Sequence, residues 1–194
     1  MGGTTAARSA RLFVALWPDA APRAAIAAWR DTCTWPVGAA VVATPRLHMT
    51  LHFIGEVAAE RLPAIVHGLR VPLQPFELTL DRCVAWPRGL VVLQPSETPA
   101  ALLALHAACA DRLRLLDLPV RPRPLRAHVT LARDAAGASL QQRTEPLRWP
   151  VGQLALVRSH PGPPGYEVLS LLSPTAGPAP ARAQSPPARK PRQR

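Results

Sequence analysis

Two short stretches hold the residues best suited to chemistry. His48, Thr50 and His52 alternate in RLHMTLHFIGE (46–56), and His128 and Thr130 alternate in AHVTLARD (127–134). Both stretches contain the pattern H-x-T-L, eighty residues apart. Imidazole titrates near neutral pH, so one histidine can act as a base while another acts as an acid. Placed on opposite sides of a phosphate, such a pair suits in-line displacement. One imidazole takes a proton from the attacking water, and the other protonates the departing oxygen. Each threonine hydroxyl can donate to a non-bridging oxygen as it gains charge. A single H-x-T reads as a satisfied strand histidine; two copies in matching context point to one shared site. The chemistry calls for no metal.

The spacing also says what must carry these groups. In a strand, alternate side chains share a face. Leu47, Met49, Leu51 and Phe53 then form an apolar face, opposite His48, Thr50 and His52. Ala127, Val129 and Leu131 likewise back His128 and Thr130. A helical reading of HMTLH fails because it scatters Met49 and Leu51, and because it lacks the glutamate of the zinc-binding H-E-x-x-H. Strict alternation places His52 on the cleft side as a possible lining residue, Phe53 in the core, and Arg133 on the face opposite His128. Arg133 can reach phosphate only if a bulge or strand end redirects it.

The rest of the chain alternates strands and helices in small groups. RLFVALW (11–17) reads as a buried strand and 21–31 as an Ala-rich helix. The segment 37–55 holds an extended piece, a turn at Pro45 and a strand. A helix follows over 57–70, kinked or delayed by Pro63. FELTLDRCVAW (76–86) and GLVVLQP (89–95) form a hairpin about Pro87-Arg88-Gly89. The longest helix spans 96–118 with Ser96 as N-cap, and strands are expected at 125–134, 153–160 and 166–173. This order argues for an α+β fold and against a doubly wound parallel sheet.

With 194 residues, 48% of them hydrophobic, the chain suffices for one sizeable core. Residues 1–9 read as a disordered N-terminus, 10–173 as the folded domain and 174–194 as a disordered Pro/Ala/Arg-rich basic tail. The net charge of +11 is nearly all arginine, Lys190 being the only lysine. That suits an anionic partner, although GC-rich coding produces the same excess. Three scattered cysteines, Cys33, Cys83 and Cys109, form no C-x-x-C and fit a reducing cytoplasm. No signal peptide or membrane span is expected, and no Gly-rich loop or dinucleotide fingerprint points to a cofactor. His67, His106 and His160 read as structural or exposed. Arg121, Arg123 and Arg126 form either a basic rim or a solvated linker, and the five tryptophans default to packing roles.

RLFVALWPD, LHMTLHFIGEV and AHVTLARDA together resemble the two-histidine phosphoesterases, and among them the RNA 2′,3′-cyclic phosphodiesterases (LigT-like, also described as 2′-5′ RNA ligases). The resemblance spans 10–173. It implies a bilobal fold, two pseudo-symmetric lobes of antiparallel sheet backed by helices around a cleft. It implies hydrolysis of an RNA or nucleoside 2′,3′-cyclic phosphate to the 2′-phosphate, with His48 and His128 catalytic. Thr50, Thr130 and Arg133 then bind phosphate, His128 is the favoured base and His48 the favoured acid. The expected partner is RNA with cyclic-phosphate ends or a cyclic nucleotide, and the protein is expected to be a cytoplasmic monomer. The alternatives are a 2′-5′ ligase acting on tRNA halves, a catalytically silent RNA-binding module, and a phosphodiesterase for another small cyclic substrate.

Overall fold

The computed structural model describes residues 9–162 and 165–172. The basic tail expected at 174–194 lies outside them, as does the N-terminal stretch up to residue 8; Ser9 already belongs to the first strand. In chain order the elements are β1 (Ser9–Leu16), α1 (Ala20–Asp31), β2 (Ala40–Val41), β3 (Met49–Ala58), α2 (Leu62–Gly68), β4 (Phe76–Leu80), β5 (Arg82–Trp86), β6 (Leu90–Gln94), α3 (Ala100–Leu115), β7 (Val129–Arg133), β8 (Leu147–Val151), β9 (Leu154–Ser159) and β10 (Tyr166–Leu172). Two four-stranded antiparallel sheets run β10-β9-β1-β3 and β2-β7-β6-β5, and β4 pairs with β8. The α+β reading holds. Among the described residues no helix is long and apolar enough to cross a membrane.

The apolar run of β1 follows from its place inside a sheet covered on both faces. Leu12, Val14 and Leu16 enter the main core, whereas Phe13 and Ala15 join a smaller cluster with Ala155 and Val157. The main core is continuous across both four-stranded sheets: it holds Trp29 of α1, Met49 of β3, Leu102 and Leu113 of α3, Leu93 of β6 and Val129 of β7. On α3, Leu102, Leu105, Cys109 and Leu113 form one buried stripe at helical spacing. All three cysteines are buried and free.

Several expected elements shift for identifiable reasons. The strand read as 76–86 breaks at Asp81, so β4 turns to β8 while β5 pairs with β6. Ser96, expected to cap the long helix, instead donates its backbone N–H to the Asp81 carboxylate at 2.7 Å, and α3 starts after Pro99. The helix expected over 57–70 shortens because β3 continues to Ala58 and Pro63 sits in the first turn of α2. The strand β8 escapes sequence reading because Pro150 interrupts its pattern; proline is tolerated there because β8 pairs only with β4.

The register irregularities matter most for function. Along β1 and β3, Val14 pairs with His52 and Ala15 with Thr50, which leaves Leu51 as an extra residue. Along β6 and β7, Val91 pairs with Ala132 and Val92 with Thr130, which leaves Leu131 extra. Each H-x-T-L copy therefore carries a bulge at its leucine. A bulge advances the alternation by one, so the faces exchange beyond it.

Candidate active site

His48 and His128 occupy equivalent places, each immediately before the strand that carries its threonine. Both are held by the same local device. The Nδ1–H of His48 donates to the Arg46 carbonyl at 2.7 Å, and that of His128 to the Arg126 carbonyl at 2.6 Å. The carbonyl two residues upstream therefore sets the tautomer, and Nε2 is left bare in each ring. In His48 that nitrogen lies 3.1 Å from the Thr50 hydroxyl.

The two H-x-T segments open into one cavity of about 470 Å³. His48, Thr50, His128, Thr130 and Arg133 all line it, together with Arg46. No carboxylate does so among the described residues. Arg11, Phe13, Phe53, Ser159, Tyr166 and residues 40–42 complete the lining, and aromatic rings pack around the histidines. His48 packs against Phe13 with centroids 5.0 Å apart, stacks on Trp17 at 5.5 Å and meets the Tyr166 edge at 5.2 Å. His128 lies 4.6 Å from the Trp86 ring, over which the Arg126 guanidinium sits at 3.8 Å. Trp29 and Trp149 are core residues.

This packing controls the charge on the imidazoles. Burial pushes His48 down to about 4, against a partial offset from the Arg46 carbonyl; His128, Arg46 and Arg133 disfavour its charge further. His128 is also lowered, chiefly by burial, with Arg126 and Arg133 adding to the effect and its carbonyl partner opposing it. At neutral pH the site thus presents two neutral rings amid guanidinium groups, an arrangement receptive to an anion.

The bulges settle the side chains that alternation left open. Beyond Leu131, Arg133 turns to the cavity side, as a bulge would require. Beyond Leu51, the expectations for His52 and Phe53 are both reversed. His52 is not a cleft residue: it is buried against α3, with Nε2 2.8 Å from the His106 carbonyl and its ring stacked on His106 at 4.1 Å. Phe53, expected in the core, lines the cavity. Phe53 and Arg133 are eighty residues apart, like the histidines, and hold matching places after matching bulges.

Sequence reading missed Arg11, Arg46 and Tyr166 as wall residues, and Trp17 and Trp86 as neighbours of the histidine rings. The signal was weak. Trp-Pro occurs at Trp17, Trp35, Trp86 and Trp149, so the dipeptide does not single out the two that touch the histidines. Arg11 and Tyr166 reach the cavity only through the pairing of β1, β9 and β10. His160 bonds Glu167 at 2.9 Å, outside the cavity. Among the described residues no group of three or more His, Cys, Asp or Glu is placed to hold a metal ion.

Known proteins resemble this chain in sequence and in fold. The 2′-5′ RNA ligase superfamily matches residues 17–163. An Escherichia coli RNA 2′,3′-cyclic phosphodiesterase is 36% identical over 130 residues, covering 66% of this chain and 74% of that protein. A Thermus thermophilus protein of the same name is 32% identical over 188 residues, covering 84% and 89%. The crystal structure of E. coli LigT complexed with 3′-AMP superposes with a TM-score of 0.72 at 29% identity, covering 87% of this chain and 99% of that one.

Proposed function

Because the chain belongs to the 2′-5′ RNA ligase superfamily, we propose that its cleft hydrolyses RNA or nucleoside 2′,3′-cyclic phosphates to 2′-phosphomonoesters. The observation that carries this reading is the doubled unit: an imidazole with bare Nε2, a threonine hydroxyl two residues on, and both copies facing one cavity that no carboxylate lines among the described residues. The names of the E. coli and T. thermophilus relatives describe the same activity.

The chemistry follows from the groups in place. The cyclic phosphate sits between the rings. His128 Nε2 takes a proton from water as the water oxygen bonds phosphorus. The P–O3′ bond breaks on the opposite side, and protonated His48 gives its proton to O3′. The product is a 2′-phosphate with a free 3′-hydroxyl, and solvent returns the proton to the starting ring. Thr50, Thr130 and Arg133 donate to the non-bridging oxygens, where charge accumulates. A low pKa makes protonated His48 a strong acid. The entering anion stabilises the charged ring against the burial and the neighbouring positive groups that keep it neutral in the free protein. Water suffices as nucleophile with these groups, and the acid and base are both protein side chains. A 5′-hydroxyl in place of water would instead leave a 2′-5′ bond, the chemistry of which the superfamily's description speaks. Buried free thiols are in keeping with action in a reducing cytoplasm, where we propose that the protein acts as a monomer.

The test is turnover of 2′,3′-cyclic AMP in EDTA, with the 2′- and 3′-phosphate products resolved chromatographically. The expected product is 2′-AMP, with rates falling about 10²–10⁴-fold in His48→Ala and in His128→Ala. Formation of 3′-AMP, or full activity in either variant, would overturn the reading.

A further inference from the structure

A cyclic phosphate occupies only the centre of the cleft, and an RNA that carries one must leave by some path. Two exits are available. One passes Arg11 and Ser159 into a hollow that also holds Glu56 and Arg158. Beside it the Glu167 carboxylate lies 3.9 Å from Arg158 and 2.9 Å from His160 Nε2. The other exit passes Phe53. Two guanidinium groups lie over its ring, Arg11 at 4.9 Å and Arg121 at 5.2 Å. Arg121 then leads into a groove of about 390 Å³ between α3 and the 120–124 segment, which Arg114 and Arg123 also line. The acid in that groove, Asp111, is paired with Arg114 at 2.7 Å. Among the described residues no carboxylate pairs with Arg121 or Arg123.

We propose that this second exit is the bed for the RNA strand 5′ of the cyclic end: the Phe53 cluster stacks a base, and Arg121 and Arg123 hold the phosphates beyond it. This rests on the reaction proposed above and names the substrate class of the same site, an oligonucleotide in preference to a mononucleotide. The chemistry favours single-stranded nucleic acid for two reasons. Guanidinium planes and an aromatic ring at the cleft mouth accept a base of any sequence by stacking. Beyond them, arginines that no carboxylate among the described residues neutralises are free to bind phosphates. Pro119, Pro122 and Pro124 flank these arginines. They stiffen the segment, so less freedom is lost when RNA binds. Carboxylates partly neutralise the first exit.

The experiment compares the full chain with the Arg121→Gln/Arg123→Gln double variant on two substrates. These are 2′,3′-cyclic AMP and a five-nucleotide RNA ending in a 2′,3′-cyclic phosphate. The wild type should favour the RNA in kcat/KM, and the double variant should lower the RNA-to-cyclic-AMP ratio about tenfold, mainly through KM. Each lost phosphate contact removes about 0.7 from the slope of log affinity against log salt for a single strand. Loss of two makes binding between 50 and 200 mM salt less sensitive by about sevenfold. An equal loss on both substrates, or none on either, would overturn the proposal. If the wild type turned over neither substrate, the proposed reaction would fail. Fluorescence anisotropy of the labelled RNA on the same two proteins would then judge the bed alone, with unchanged affinity refuting it.

Discussion

The pH dependence of kcat/KM tests the two-imidazole site most directly. The mechanism needs one ring protonated and the other neutral. In the free protein His48 is pushed down to about 4, and His128 is also lowered from 6.5. The window for the singly protonated pair therefore lies below pH 6.5, and within it a constant share of the pairs carries its proton on His48, as the mechanism requires. Above that window the required proton is lost tenfold per pH unit. The cyclic phosphodiester keeps one negative charge throughout this range. With substrate well below KM, log kcat/KM should thus fall with slope −1 above pH 6.5, by about a hundredfold between pH 6.5 and 8.5. Arg133→Gln removes a charge that disfavours protonation of both rings. Its kcat/KM is lower throughout, because a phosphate donor is gone, but its alkaline limb begins at a higher pH. The assay is initial-rate release of 2′-AMP at eight pH values and constant ionic strength, with kcat followed separately. In the bound state the phosphate anion raises the acid's pKa, so the limb in kcat should lie at higher pH than the limb in kcat/KM. A kcat/KM that stayed level up to pH 8 would show that no group with a lowered pKa has to be protonated, and the acid role would fall.

Folding stability should respond to the same groups, with the opposite need. His48, His52, His106 and His128 all have lowered values in the folded chain. Their contribution is complete above pH 6.5, and it is lost as pH falls toward the folded values, so Tm measured by circular dichroism should drop from pH 7 to pH 4.5. Thr130→Val keeps the strand and removes a hydroxyl aimed into the cavity; kcat should fall about a hundredfold while the Tm is retained. Gly89→Ala should destabilise the fold by about 1–3 kcal/mol in urea unfolding. Its φ is +67°, and a Cβ there would sit 2.8 Å from the Ala136 nitrogen and 2.9 Å from that of Ala135.

Much of this site is legible in eighty-residue repetition. His48 with Thr50 and His128 with Thr130 stand out because a strand displays every second residue, and both copies place apolar residues between them. The elements that carry long, unbroken patterns, β1, α1 and α3, lie close to their expected positions. Patterns interrupted by a single residue misled. Asp81 divides what reads as one strand, and Pro150 hides another. In both cases the partner strand, remote in sequence, decides where pairing begins and ends.

The sequence by itself therefore determined the chemical units: imidazole and hydroxyl, two apart, twice. It also determined that their backs are apolar and must be buried. Only the tertiary structure decided what joins them. The extra residues at Leu51 and Leu131 exist only relative to β1 and β6, because a bulge is a mismatch between two strands and leaves no mark in either alone. Those mismatches turn His52 against α3 and bring Phe53 and Arg133 to the cavity that His48 and His128 line. Arg11, Arg46 and Tyr166 join them from distant parts of the chain, where no local period could announce them.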